Sequence, residues 1–276
     1  MRSTALAVAA LFLTLNQGGL YSAQEVGRGC FLDDSLRVPA ADRRAPVIAV
    51  FTELCEAADL PVDVALHYDS WGSVIGAAAG QDDDNNGLIY FSASIFELAD
   101  HRDEFAQILA HELGHIKHEH VDLTKENAAV KKVAEDWCDR QPGNQNDDHY
   151  CSSAIELTIP DIFDKSRAFE EAPEALQERL IGFVEDQETS ADDYACGLMI
   201  KAGYNPRRAA QVFIAAGDFL FELTRGLSGH LKGAEDYHPA SVDRGWRTFT
   251  CDGGSARSSA GKSKAKSKRK AKGKKR

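Results

Sequence analysis

Ten residues, "HELGHIKHEH" from His111 to His120, restrict this chain more than any other stretch. His111 and His115 are four apart, so on an α-helix both imidazoles leave the same face, one turn from each other. Two neutral imidazoles so placed chelate zinc at about 2.0–2.1 Å. Glu112 sits roughly 100° further round, beside such a metal rather than on it, where its carboxylate is placed to take a proton from bound water. The run "FAQILAHELGH" supplies Phe105, Ile108, Leu109 and Leu113 for packing, and Gly114 leaves room for the close approach of another segment. A charged, solvated helix has much the same composition, so the metal reading needs a second observation.

A catalytic zinc needs a third protein ligand and an open position. The metzincin pattern would put Gly at 118 and His at 121, where this chain has His118 and Val121. A carboxylate from a second helix is the alternative. In "ETSADDYA", Glu188 and Asp192 are again i and i+4 on one helical face. Glu188 would complete the metal shell, and Asp192 would bond the far nitrogen of a ligating histidine, fixing its tautomer. Glu185 and Asp193 are rival carboxylates that spacing does not exclude. His118 shares the metal face a turn further along and takes a supporting or packing role. His120 projects almost opposite to His111 and is read as structural, and His101 receives no role.

Around these motifs the pattern runs from strands to helices. A helix is expected from about Arg43 to Ala58, with Val47, Val50, Phe51 and Leu54 on one face. "VDVALHY" and "GLIYFS" read as strands, the second introduced by the turn signal "DDDNNG". Helices are then expected over Ser94–Asp100, Asp103–His120, Thr124–Trp137, Pro173–Ile181, Glu185–Ala202 and Pro206–Leu223, with a short one after Pro239. That order indicates an α+β fold, mainly helical with a small sheet. "DDDNNG" also mimics the start of a calcium loop, but the twelfth position, which needs a bidentate Glu, is Ala93; a solvated turn is the better account.

The two ends of the chain differ sharply from its body. Arg2 followed by the apolar run Thr4–Leu15 has the form of a secretory signal peptide, with cleavage expected after Ala23 and an uncleaved anchor as the alternative. From Ser255 to Arg276 there are eleven Lys or Arg and no acid; the other 21 basic residues face 43 acids, so the body carries a formal −22 and the tail +11. The tail has no apolar residue larger than alanine and is expected to be disordered. Its partners by charge would be anionic polymers or lipid surfaces, while an export signal sets nucleic acid aside. Six cysteines, all beyond the signal, suit disulfides in the periplasm or outside the cell. Cys138 and Cys151 bracket the polar stretch "DRQPGNQNDDHY" and are expected to pair, in preference to a zinc site with His149. The expected organisation is a signal over 1–23, a folded domain over 24–254 and a tail over 255–276.

HExxH on one helix, E-x-x-A-D on another and "HPASVDR" near the end together resemble metallopeptidase family forty-eight, the HtpX and CAAX-prenyl-protease-like gluzincin endopeptidases. The likeness runs from "GLIYFSASIF" at Gly87 to Phe249, and the soluble exported members are nearest in plan. It includes the histidine at His120 and the stretch "ETSADDYACGLMIKAGYNPRRAAQVF". The resemblance implies a zincin-like fold, one Zn2+ on His111, His115 and Glu188, Glu112 as general base, and Asp192 behind the ligands. His238 and Arg244 fall where the family keeps a His-Pro and an Arg near the active site. It also makes "GLIYFS" an edge strand along which a protein or peptide substrate would lie by strand addition. The membrane helices of some members are missing here, and the cysteine-bounded insertion is extra. The expected function is a zinc-dependent endopeptidase acting in envelope protein quality control. A latent or non-catalytic zinc-stabilised binding protein, of chaperone-like character, is the alternative.

Overall fold

The computed structural model describes residues 24–72, 74, 76–140, 151, 156–163, 166–212, 248 and 250–251. The signal-like segment, the basic tail, residues 213–223 of the helix expected from Pro206, the expected helix after Pro239, His238 and Arg244 all lie outside the described residues.

The chain opens with two short strands, β1 (Gln24–Gly27) and β2 (Cys30–Leu32), paired antiparallel. Helix α1 (Ala45–Ala57) starts with Pro46 in its first turn, where no backbone N–H is needed, and buries Val47, Val50, Phe51 and Leu54 on one face. A disulfide between Cys30 and Cys55 ties this helix to β2. β3 (Val64–Asp69) then runs parallel to β2. β4 (Ala77–Gln81) and β5 (Gly87–Ser92) form an antiparallel hairpin. Asp82 organises its turn by accepting the N–H groups of Asp84 and Asn86 at 3.0 and 2.7 Å, with Asn85 in the left-handed region at φ 65°.

The sheet order is β1-β2-β3-β5-β4, with β5 parallel to β3 in the register Val64↔Gly87 to Asp69↔Ser92. This corrects the expectation that "GLIYFS" is an edge. β5 is hydrogen-bonded to β3 on one side and to β4 on the other, so it has no free edge for a substrate. On that side the edge belongs to β4, whose sequence "AAAGQ" has neither β-branched nor aromatic residues and so gives no strand signal by composition.

Val64, Leu66, Ile89 and Phe91 face a core shared with α1 and with α3 (Arg102–Lys117), which follows the short helix α2 (Ile95–Leu98). A second apolar cluster unites α4 (Leu123–Cys138), α5 (Ile159–Phe163) and α6 (Arg167–Glu170) through Val130, Ala134, Ile162 and Phe169. Cys138 and Cys151 are joined beside it, as their spacing suggested, which leaves no thiolate there for a metal. Helix α7 (Glu174–Lys201) belongs to both clusters, giving Leu176, Leu180 and Val184 to the second and Ala195, Leu198 and Met199 to the first. The sequence suggested two helices here. The structure has one, because its buried stripe passes from Leu180 through Val184 to Glu188 without interruption at Gly182. After a turn with Gly203 at φ 85°, Pro206 begins the short helix α8 (Pro206–Ala209). The architecture is α+β, mainly helical, with one small mixed sheet. No helix among the described residues is long and apolar enough to cross a membrane.

Candidate active site

Helix α3 carries the histidine pair and is fixed at both ends. Its N-terminus is a capping box: the His101 Nδ1 accepts the Asp103 N–H at 3.2 Å, and Glu104 accepts the His101 N–H at 3.0 Å. His101, which had no role by sequence, is the cap. The C-terminus closes as a Schellman turn, with the Glu119 N–H on the Ile116 carbonyl at 3.1 Å and the His120 N–H on the His115 carbonyl at 2.9 Å. Glu119 takes the left-handed position at φ 61°, where glycine is usual and any other residue costs roughly 1–2 kcal/mol.

The helix that meets α3 is α7, and Gly114 sets how near it comes. A Cβ at Gly114 would lie 2.8 Å from both the Cα and the carbonyl oxygen of Ala191. The missing side chain therefore lets the two backbones touch, as the sequence suggested it would for some partner. Ala191 stands between Glu188 and Asp192, so that contact sets both carboxylates against the two histidines.

The resulting cluster is compact. His111 Nε2 and His115 Nε2 are 3.0 Å apart, and Glu188 places Oε2 at 3.3 Å from the first and Oε1 at 3.4 Å from the second. A tetrahedral zinc with bonds of about 2.0–2.1 Å has ligand atoms about 3.3–3.4 Å apart. The three donors therefore sit close to the corners of such a shell. Two imidazoles and one carboxylate also make the His2Glu donor set of open, catalytic zinc sites. Glu188 is 5 % exposed, whereas Glu185 and Asp193 are solvent-exposed, which decides among the three carboxylates. Glu112 is buried on the same turn as His111.

Behind the donors, Asp192 is almost fully buried and its Oδ1 lies 2.9 Å from His111 Nδ1. His115 has a different neighbour, His120, with the two Nδ1 atoms 3.1 Å apart. The helical projection set His120 on the far side; because the helix ends at Lys117 and the chain reverses at Glu119, it returns to His115 instead. Burial, and after it the neighbouring His115 and His118, depresses the His120 pKa to about 3. His118 packs rather than ligates: its ring stacks on His120 at 5.5 Å and meets Tyr194 edge-on at 5.9 Å. Nothing in the spacing signalled His120, since a helix end at a glutamate has no compositional mark.

Peptidase family M48 matches residues 42–245 of this sequence, well over half of the chain. No curated protein and no solved structure matches it. With that match spanning the sheet edge, α3 and α7, the chain belongs to peptidase family M48, a family of zinc metallopeptidases.

Proposed function

We propose that this protein is an exported zinc-dependent endopeptidase that hydrolyses peptide bonds in unfolded or misassembled envelope proteins. The observation that carries the reading is the convergence of His111 Nε2, His115 Nε2 and the Glu188 carboxylate at tetrahedral spacing, with a buried Glu112 on the same turn. These three residues would hold one zinc, and the zinc would polarise the scissile carbonyl and supply water activated near neutral pH. Glu112 accepts the proton of the attacking water and returns it to the leaving amine. Asp192 holds His111 in the tautomer that leaves Nε2 as a donor. His238 and Arg244 belong to this proposal through their motif and would steady the oxyanion.

The substrate would lie extended along β4. The outer side of that strand pairs with no strand among the described residues, and "AAAGQ" has no charge, proline or large side chain to repel an incoming chain. Helix α3, which carries His111 and His115, packs against the same strand. Export rests on the signal-like N-terminus and on three disulfides, Cys30–Cys55, Cys138–Cys151 and Cys196–Cys251. Residues 24–254 then form the catalytic domain and 255–276 a basic tail for anionic polymers or lipid surfaces.

The test is zinc content and casein hydrolysis on protein beginning at residue 24. Wild type should hold one zinc and cleave in a chelator-sensitive way. Glu112→Gln should keep the zinc and lose roughly 10²–10⁴-fold in turnover, and Glu188→Ala should lose the metal. Zinc without cleavage in wild type refutes the enzyme reading, and full hydrolysis by metal-loaded Glu112→Gln refutes the base.

A further inference from the structure

We propose that His120 is the positioning residue of His115, anchored by Ser190, so that α7 sets the tautomer of both histidines on α3. The inference rests on the zinc reading of His115.

The assignment follows from counting protons along one line of contacts. The Ser190 hydroxyl donates to the Gln187 carbonyl at 2.9 Å, within the same helix. Its only proton is then used, and towards His120 Nε2, 3.4 Å away, the oxygen can only accept. His120 therefore carries its proton on Nε2, and its Nδ1 is a bare acceptor. That acceptor faces His115 Nδ1 at 3.1 Å, so His115 carries its proton on Nδ1. The nitrogen left with a free lone pair is His115 Nε2, the atom that faces His111 and Glu188. Reversing the line would put a proton on His115 Nε2 and remove it as a ligand. It would also require Ser190 to give up its carbonyl.

Three residues within one five-residue stretch of α7 thus serve both histidines. Glu188 supplies a donor, Asp192 backs His111 directly, and Ser190 backs His115 through His120. The two imidazoles are supported unequally, one by a carboxylate and the other by a neutral ring. A carboxylate raises ligand basicity more, so His115 is the weaker of the two donors. The reversal at Glu119 is what brings His120 into line, since a helix continued past Lys117 would point it away.

Two substitutions separate this role from packing. His120→Phe keeps a ring against His118 and His115 but offers no acceptor; Asn in its place presents an amide oxygen near the position of Nδ1. In zinc competition against a chelator, His120→Phe should bind roughly 10–100-fold more weakly than wild type, and His120→Asn should recover to within a factor of about three. Ser190→Ala, which leaves both rings in place, should weaken binding in the same direction. Nitrogen-15 spectra of zinc-loaded wild type should show His115 protonated on Nδ1. Thermal melting of the metal-free forms checks that each variant is folded, and Ser190→Ala with the spectra decides the matter if His120→Phe is not. Wild-type zinc affinity in a folded His120→Phe overturns the proposal, and so does His115 protonated on Nε2 or an Asn variant as weak as the Phe one. A wild type without zinc overturns the metal reading and this inference together.

Discussion

Gly114→Ala tests whether the contact between α3 and α7 builds the site. Carbon contacts begin near 3.4 Å and the new methyl would lie 2.8 Å from the Ala191 backbone, so the helices must part by about 0.6 Å. Neither neighbour is a side-chain end that can swing away; both are main chain of a 28-residue helix packed over its whole length. Overpacking of this kind costs about 1–3 kcal/mol, while alanine in place of glycine inside a helix returns about 0.8–1. Fold stability should therefore fall by only about 0–2 kcal/mol. The site has no such compensation. Parting by 0.6 Å would carry the bond from His111 Nδ1 to Asp192, now 2.9 Å, to about 3.5 Å, the limit of a hydrogen bond. It would also move Glu188 off the tetrahedral edges by more than the roughly 0.2 Å that a metal shell tolerates. Zinc affinity should drop at least 10-fold. Denaturant unfolding of the metal-free protein and zinc competition, measured on the same preparations, separate the two effects. A variant that binds zinc like wild type would show that the approach at Ala191 does not set the ligand spacing.

Two other outcomes follow from the same packing. His67 lies on β3, stacked on Tyr90 at 5.2 Å with Nδ1 3.2 Å from Asp33, and burial lowers its pKa below the usual 6.5. The unfolded chain therefore binds that proton first as pH falls, so the stability it contributes is complete above about pH 6.5 and is lost below it. The melting temperature of chelator-treated protein should fall between pH 7 and 5, and fall less in His67→Phe; equal slopes would refute the assignment. Replacing Cys138 and Cys151 by serine opens a loop of 13 residues' separation, which should cost about 3 kcal/mol in denaturant unfolding. Zinc affinity should be unchanged, because the bridge ties α4 to residues before α5 and no ligand lies on either; metal loss would refute that separation.

How far the sequence discloses this molecule depends on whether a feature is local. His111, Glu112 and His115 are legible because one helical turn fixes their relation, and Glu188 with Asp192 for the same reason. The Cys138–Cys151 bridge is legible because only a short polar stretch separates its ends. The edge strand is not. β4 consists of alanine, glycine and glutamine, which carry no strand preference, and it exists because β5 and its turn pair with it. Helix α7 was divided for an instructive reason. Its buried stripe runs Leu176, Leu180, Val184, Glu188, Ala191, Ala195 without a break, whereas the expected helices part at 182–184, where Gly182 offers no side chain to the pattern. The apparent gap lies one turn before Glu188, ahead of the carboxylates rather than at them.

His120 shows the opposite failure, in which a local rule was applied one turn too far. Angles of 100° per residue hold only while the helix lasts, and this one ends at Lys117 on a left-handed glutamate. A glycine at 119 would have marked the end; Glu119 conceals it and bears the strain instead. The strained turn is what aims the His120 ring at His115. The same view accounts for two apolar clusters meeting along α7 at Glu188 and Asp192. Buried acids are costly unless paired, and here both lie within 2.9–3.4 Å of imidazole nitrogens. Asp192 is thus satisfied by the Nδ1–H of His111, Glu188 faces the two Nε2 lone pairs that a bound metal would share with it, and α3 and α7 meet at the point where the chemistry is proposed to occur.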